Sequence, residues 1–224
     1  MNASDVMVRD VITTGPDEDV SQAAKRLVDY DVSALPVVDD DRNVVGILSE
    51  ADLLRREEIG TEKQRPWWLE ALTPASVLAM DYAKSHGRKV SEVMSQAVVT
   101  AAEDATLAEI ATLLERHRIK RVPIVRDGKL VGVVSRANLI QALASTPAAS
   151  QDDREGDRTI RLELMDRLSK QAWTGFGERN IVVANGLVHI WGLVYSPEEH
   201  KALLALAEEI PGVKGVSDEM IPSY

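Results

Sequence analysis

The chain has 224 residues, of which 45% are hydrophobic and 28% charged, a composition typical of a folded protein with room for more than one core. It contains no cysteine, which excludes disulfides, thiolate metal ligands and cysteine nucleophiles. Its net charge of −10 disfavours phosphate backbones and anionic lipid surfaces as partners, so we expect no nucleic-acid binding and no membrane association.

The first residues carry no basic cluster followed by an apolar stretch, which predicts that the chain has no secretory leader. No apolar run approaches the roughly 18–20 residues of a membrane span. We therefore expect a cytoplasmic protein.

A repeat organises the first two thirds of the chain. A shift of 87 residues places Leu35-Pro36-Val37-Val38 on Val122-Pro123-Ile124-Val125. After a turn that is one residue shorter in the second copy, Gly46 aligns with Gly132. Each copy predicts the order strand, helix, strand, strand, helix. Because one such unit of about 50–55 residues has a marginal core, we expect the two copies to pack as a pair.

In the first copy, a short strand near Thr13 precedes a helix at whose start Asp19 and Gln22 have capping-box spacing. Strands are predicted at residues 35–38 and 44–48, and a second helix near Ser49.

The insert at residues 57–89 predicts one helix over residues 74–86, with Thr73 as its N-cap and Pro74 as its first residue. Trp67 and Trp68 precede this helix, and we expect them to cover a neighbouring hydrophobic surface.

In the second copy, a strand near Thr100 precedes a helix that begins with the capping-box pair Thr106 and Glu109. Strands are predicted at residues 122–125 and 130–134, and a helix near Ser135.

Small, polar and charged residues at 146–156 are typical of a linker to a further domain. A helix is predicted at residues 158–171, and Asn185-Gly186 predicts a hairpin between strands. Ser196 then caps a helix that ends before Pro211, and a last strand follows, which gives an αββαβ order.

These strings resemble known families. Val32–Asp39, His117–Val125 and the two stretches beginning at Gly46 and Gly132 resemble tandem CBS motifs, and residues 157–222 resemble a BON domain. The resemblance implies an α/β (α+β) fold in which two CBS motifs pack as a pseudo-symmetric pair. It assigns motif 1 to residues 1–56, the insert to 57–89, motif 2 to 90–145, the linker to 146–156 and the BON-like domain to 157–224.

Ser49 and Asp52 at a helix start present a hydroxyl, a carboxylate and free backbone N–H groups, a set that suits a ribose and a phosphate. The alternative is an ordinary N-cap. The resemblance adds Thr100 and the backbone of Ile119, Lys120 and Arg121 around the base. It implies a sibling site with the residues Thr13, Val32, Ser33, Ala34, Ser135 and Asn138.

Two features make the copies unequal. Asn138 stands where the first copy has Asp52, so the sibling site lacks its anionic acceptor and is predicted to be weaker. The basic residues His117, Arg118, Lys120 and Arg121 resemble the phosphate-contacting stretch in the regulatory subunit of AMP-activated protein kinase. They either neutralise phosphates or form a solvated face. The first copy has acidic and small residues at these places, which favours one occupied site.

Nothing in the sequence assembles catalytic or metal chemistry. The histidines His86, His117, His189 and His200 are scattered, without zinc spacing and without a nucleophile paired to a base. We therefore predict no enzyme, no catalytic residue, no metal and no catalytic cofactor.

The leading functional hypothesis is a regulatory protein that binds AMP, ADP, ATP or a related adenine nucleotide between the CBS motifs and relays binding to the BON-like domain. One alternative is an envelope- or macromolecule-associated interaction protein with the CBS pair as a dimerisation scaffold. Another is the regulatory subunit of a separate enzyme.

The resemblance also implies a homodimer through the CBS helices. The BON family is associated with attachment to phospholipid or macromolecules. Because residues 157–222 hold seven Lys/Arg against ten Asp/Glu, we expect an unknown protein partner rather than anionic lipid.

Overall fold

The structure is a computed structural model that describes residues 1–61, 66, 72–145 and 154–224. Trp67, Trp68 and residues 146–153 of the predicted linker lie outside the described residues. The chain divides into two compact units, each described by itself. Unit 1 comprises Met1–Asp10, Ala101–Ile124 and Val131–Tyr224, and unit 2 comprises Val11–Thr100 and Val125–Leu130.

The described part of the first hundred residues contains a two-stranded antiparallel sheet and several helices. Short 3₁₀ turns occur at Glu57–Ile59 and, later in the chain, at Glu178–Asn180. In chain order the elements are α1 (Ala3–Val6), α2 (Val20–Asp29), β1 (Ala34–Val38), β2 (Val44–Ser49), α3 (Glu50–Leu53), α4 (Ala75–His86) and α5 (Val90–Val93).

The remaining residues form two three-stranded sheets, in the orders β3-β4-β5 and β6-β7-β8, with their helices. The elements are β3 (Ala101–Ala102), α6 (Leu107–Arg116), β4 (Arg121–Arg126), β5 (Lys129–Ser135), α7 (Arg136–Ser145), α8 (Arg154–Ser169), β6 (Ile181–Ala184), β7 (Leu187–Val194), α9 (Pro197–Glu208) and β8 (Gly215–Pro222).

The core of unit 2 lies between α2 and the sheet of β1 and β2. The apolar face of α2, with Val20, Ala23 and Leu27, packs on Leu35 and Leu48. This core also contains Val90 and Val93 of α5, a helix that begins the second repeat.

The second repeat has the reciprocal arrangement in unit 1. Ala3, Val6 and Met7 from the start of the chain are buried with Ile110 and Leu114 of α6. The helix that opens each repeat therefore completes the core of the other repeat. This exchange supplies apolar area that a unit of about 50–55 residues lacks by itself.

The C-terminal part of unit 1 has the predicted αββαβ order. The β6 and β7 strands pair antiparallel, and β8 joins β7 in parallel. Asn185 and Gly186 take φ values of 57° and 80°, the positive angles that a type I′ hairpin turn requires. The core between this sheet and α8 and α9 includes Ile160, Leu164 and Leu203.

One predicted capping hydrogen bond is absent, and one predicted helix start is off by one residue. Asp19 is the N-cap of α2, as predicted, but its side chain makes no capping hydrogen bond. Its backbone pairs with Lys89 in an antiparallel bridge. The insert helix begins at Ala75 with Pro74, not Thr73, as N-cap, because Pro74 is extended with a ψ of 139°. By contrast, the predicted Thr106–Glu109 capping box is present.

The first C-terminal helix begins inside the predicted linker, since α8 starts at Arg154 rather than at residue 158. The carboxylate of Asp157 accepts the backbone N–H groups of Asn185 and Gly186 at 2.7 and 2.6 Å. This long-range contact holds the first turn of α8 against the hairpin. The polar composition of residues 146–156 does not indicate this contact.

Candidate functional site

The first candidate site lies where β2 passes into α3. Ser49 has extended backbone angles and is the N-cap of α3. One oxygen of Asp52, Oδ2, accepts the N–H of Ser49 at 3.0 Å and its Oγ at 2.7 Å. The Ser–Asp pair thus stabilises the helix start and holds the carboxylate in one orientation.

The other carboxylate oxygen has partners that the sequence did not indicate. Oδ1 of Asp52 accepts from Nζ of Lys84 at 3.0 Å and from Oγ of Ser95 at 3.4 Å. A ligand hydroxyl at Oδ1 must therefore compete with an ammonium group. Lys84 lies on α4 in the insert, 32 residues from Asp52, and no local motif marks it.

The second candidate site repeats this geometry. Oδ1 of Asn138 accepts the N–H of Ser135 at 2.8 Å and its Oγ at 2.7 Å, and Asn138 is buried. The substitution of Asn for Asp keeps the capping arrangement and removes the negative charge.

Backbone contacts join each Ser turn to the helix–strand turn of its own repeat. In unit 2 the carbonyl of Ser33 accepts from the N–H of Glu50 at 3.1 Å. In unit 1 the carbonyl of Lys120 accepts from the N–H of Arg136 at 3.2 Å. The structure therefore brings Val32–Ala34 to the Ser49 turn and residues 119–121 to the Ser135 turn. The predicted combination of residues across the two repeats stays a prediction.

The two threonines occupy matching places. The backbone of Thr13 accepts from Nη1 of Arg26 at 3.2 Å, and the next residue, Thr14, pairs in parallel with Val37 of β1. Thr100 is half-buried and immediately precedes β3, which pairs with β4. Thr13 is thus one residue from a contact with β1, and Thr100 is one residue from the strand that pairs with β4.

The basic stretch forms the turn between α6 and β4. His117 is the C-cap of α6, and Arg118 takes a left-handed φ of 53°. His117, Arg118 and Lys120 are exposed and Arg121 is half-buried. Asp31 has a φ of 49° at the equivalent place in the first repeat. The two turns thus share a backbone shape and carry opposite charge.

Within the described ranges, no group of three or more His, Asp and Glu side chains is arranged to hold a metal ion. The helices in the part of the chain that the structure describes include none long and apolar enough to cross a membrane.

Family models match three segments of the chain. The CBS domain model matches residues 3–58 and 90–145, which together are half of the chain, and the BON domain model matches residues 156–221.

Curated relatives match the CBS region. The CBS domain-containing protein CBSX1, chloroplastic, of Arabidopsis thaliana is 30% identical over 155 residues, 66% of this chain and 63% of that protein. Inosine-5′-monophosphate dehydrogenase of Methanocaldococcus jannaschii is 29% identical over 153 residues, 68% of this chain and 25% of the enzyme. The chain thus spans a quarter to just under two thirds of the length of these relatives.

Among solved structures, a crystal structure of CBSX2 in complex with AMP is similar, with a TM-score of 0.56 and 27% identity over 64% of this chain and 96% of that one. CBSX2 is a protein of Arabidopsis thaliana. The repeated Ser–Asp/Asn helix starts, the exchanged first helices and the αββαβ C-terminal part agree with these matches, and the chain belongs to the CBS-domain family and carries a C-terminal BON domain.

Proposed function

We propose that this protein is a regulatory ligand sensor whose CBS pair binds an adenine nucleotide. The observation that carries the proposal is the fixed Ser49–Asp52 pair at the start of α3, repeated as Ser135–Asn138 at the start of α7. The crystal structure of CBSX2 with AMP supports the same ligand class.

The proposed chemistry assigns a part of the nucleotide to each group. Asp52 accepts hydrogen bonds from ribose hydroxyls, and helix-start N–H groups favour the phosphate. The exposed cations of the α6–β4 turn neutralise phosphate charge. The first site comprises Ser49, Asp52, Thr100 and residues 117–121. The second comprises Thr13, Val32, Ser33, Ala34, Ser135 and Asn138.

We further propose that the chain is not itself an enzyme. Its match to the dehydrogenase covers only a quarter of that enzyme, whereas its match to CBSX1 covers 63% of that protein. A cytoplasmic location and a protein partner for the BON domain belong to the same proposal. Cell fractionation and affinity purification test them.

The homodimer expected from the resemblance has candidate contact residues. Val28, Leu54 and Ile140 are between 63% and 80% exposed, so their apolar side chains are available for such a contact. We expect Ile140→Glu to shift the protein from dimer to monomer in sedimentation equilibrium. The matched change Leu193→Glu on β7 should leave the dimer intact. A monomeric wild-type protein would contradict the expectation.

Calorimetric titration of the nucleotide-stripped protein with AMP, ADP and ATP tests the proposal. We expect one of them to bind, and Asp52→Ala to weaken binding about tenfold or more, because a hydrogen bond to a charged group contributes roughly 1.5–3 kcal/mol. Asp40→Ala, an exposed aspartate in the turn between β1 and β2, is the matched control. If no adenine ligand binds the folded protein, the proposal fails and the interaction scaffold is favoured.

A further inference from the structure

The segment Met7–Asp10 lies between β5 and the BON domain inside unit 1. Val8 pairs with Val133 of β5 through two backbone hydrogen bonds of 2.9 Å. In extended backbone, the polar groups of neighbouring residues point to opposite sides. The carbonyl of Met7 and the N–H of Arg9 are therefore turned away from β5.

Two BON-domain side chains bind these outward groups. Nη1 and Nη2 of Arg161 both donate to the carbonyl of Met7 at 3.2 Å. The carboxylate of Glu178 accepts from the N–H groups of Arg9 and Asp10, and from Nη1 of Arg9 at 3.1 Å. The outer edge of this segment is thus capped by one buried guanidinium and one carboxylate.

The same domain also contacts the helix that carries Asn138. The α7 helix packs against β6, and it begins immediately after Ser135. The β5 strand that pairs with Val8 ends at Ser135, two residues after Val133. Ser135 and the helix that carries Asn138 are therefore both attached to elements that the BON domain holds.

At the joint between the BON domain and the second CBS motif, the buried apolar cores of the two sides are separate clusters. A cavity of about 660 Å³ lies at this joint, lined by residues of α6, α7, α8 and β6 together with the N-terminal segment. Contacts of this kind can open without the loss of a large apolar area, as in many interfaces between domains of one chain.

We infer that the BON domain regulates the second nucleotide site, so that docking of Arg161 and Glu178 on Met7–Asp10 and ligand binding at Ser135 and Asn138 are thermodynamically linked. This inference rests on the proposed function. While the BON domain holds the segment in its binding-competent position, the ligand binds with its intrinsic affinity. Release of the segment raises the apparent dissociation constant in inverse proportion to the fraction of molecules that stay competent. Linkage is reciprocal, so bound ligand also tightens docking.

The test is calorimetric titration of AMP into the full chain and its Glu178→Ala variant, in Asp52→Ala and Asn138→Ala backgrounds. We expect Glu178→Ala to weaken AMP binding three- to tenfold in the Asp52→Ala background, where the second site is intact. No such weakening is expected in the Asn138→Ala background. Glu198→Ala, an exposed glutamate in the first turn of α9, is the matched control.

Hydrogen exchange gives a second readout. AMP should slow exchange at the amides of Arg9 and Asp10 in the wild-type protein and not in Glu178→Ala. If Glu178→Ala does not fold, Glu178→Gln replaces it, because its side-chain oxygen still accepts one N–H, and a smaller weakening is then expected.

The outcomes separate the two proposals. AMP binding in the Asp52→Ala background that is equal with and without Glu178→Ala, together with unchanged exchange at residues 9 and 10, overturns the linkage and leaves the sensor standing. A wild-type protein that binds no AMP overturns the linkage as stated for AMP, and one that binds none of AMP, ADP and ATP overturns the sensor proposal as well.

Discussion

At the scale of single residues, His189 shows how burial changes a titratable group. It is buried on β7, and its ring stacks on Trp191 with 5.5 Å between ring centroids. Burial lowers the pKa of His189 below its ordinary value of 6.5, and Glu219, with Oε1 at 3.8 Å from Nδ1, opposes this shift. The folded state therefore favours the neutral ring.

The sign of the pH effect follows from this lowered pKa. The stability that the neutral ring contributes is fully present above pH 6.5 and is lost as the pH falls through the folded-state pKa. We expect the free energy of unfolding to fall between pH 7 and pH 5 in urea titrations, and to fall less in His189→Gln. His200→Gln, which removes the ring that bonds Asp218, is the control. Equal slopes for wild type and His189→Gln would contradict this assignment.

Lys84 offers a second test at a single residue. Because its ammonium occupies Oδ1 of Asp52, Lys84→Met should free this oxygen for a ribose hydroxyl. We expect AMP affinity to rise about two- to fivefold, since partly exposed ion pairs contribute roughly 0.2–1 kcal/mol. Lys89→Met removes the exposed pair with Asp17 and serves as the control in the same titration. Weaker AMP binding in Lys84→Met would show that Lys84 contacts the ligand instead.

At the scale of elements, the exchanged first helices depend on two glycines. A Cβ on Gly132 would lie 2.6 Å from Sδ of Met7, and Met94 crowds Gly46 in the same way. The absence of a side chain on each strand lets a methionine from the exchanged segment lie against it. Each repeat therefore places a methionine against the glycine of the other repeat.

Met7 is the more buried of these methionines, with 2% exposure, whereas Met94 is only partly buried. We expect Met7→Ala to lower the free energy of unfolding by about 2–5 kcal/mol, the range for truncation of a buried methionine, and Met94→Ala by less. Urea denaturation of both variants measures the difference. If Met7→Ala lowered the free energy of unfolding no more than Met94→Ala does, burial would not determine which methionine contributes more to stability.

Element by element, the local signals predicted most of the secondary structure. The capping box at Thr106 and Glu109 and the Asn185-Gly186 turn depend on contacts within a few residues, so the pattern alone indicates them. The start of α8 depends on Asp157 bonding residues 28 and 29 positions away, and polar composition therefore suggested a linker.

At the scale of the whole molecule, Arg161 joins the BON domain to the segment Met7–Asp10, which pairs with β5 of the second CBS motif. It is 3% exposed, and burial lowers its pKa to about 10, an effect that Glu178 opposes. Besides Met7, its donors bind the carbonyls of Ile181 at 3.2 Å and Glu178 at 2.8 Å. The guanidinium therefore satisfies three carbonyls at the joint.

Arg161→Met keeps much of the side-chain volume and removes all of these hydrogen bonds. We expect it to lower the free energy of unfolding of unit 1 by about 2–4 kcal/mol, because buried acceptors lose charged donors. Arg158→Met, which removes a partly exposed pair with Asp5, should cost less than about 1 kcal/mol. Hydrogen exchange during urea unfolding measures both, and equal costs would mean that Arg161 has no special part in the joint.

By itself, the sequence determined the two repeats, the Ser49–Asp52 and Ser135–Asn138 pairs and the αββαβ order, since periodicity and capping act over short distances along the chain. Only the tertiary structure decided that Lys84 pairs with Asp52, that each first helix completes the other repeat, and that Arg161 binds Met7 across 154 residues. Contacts of this kind depend on where the folded elements meet, and no spacing along the chain specifies that meeting.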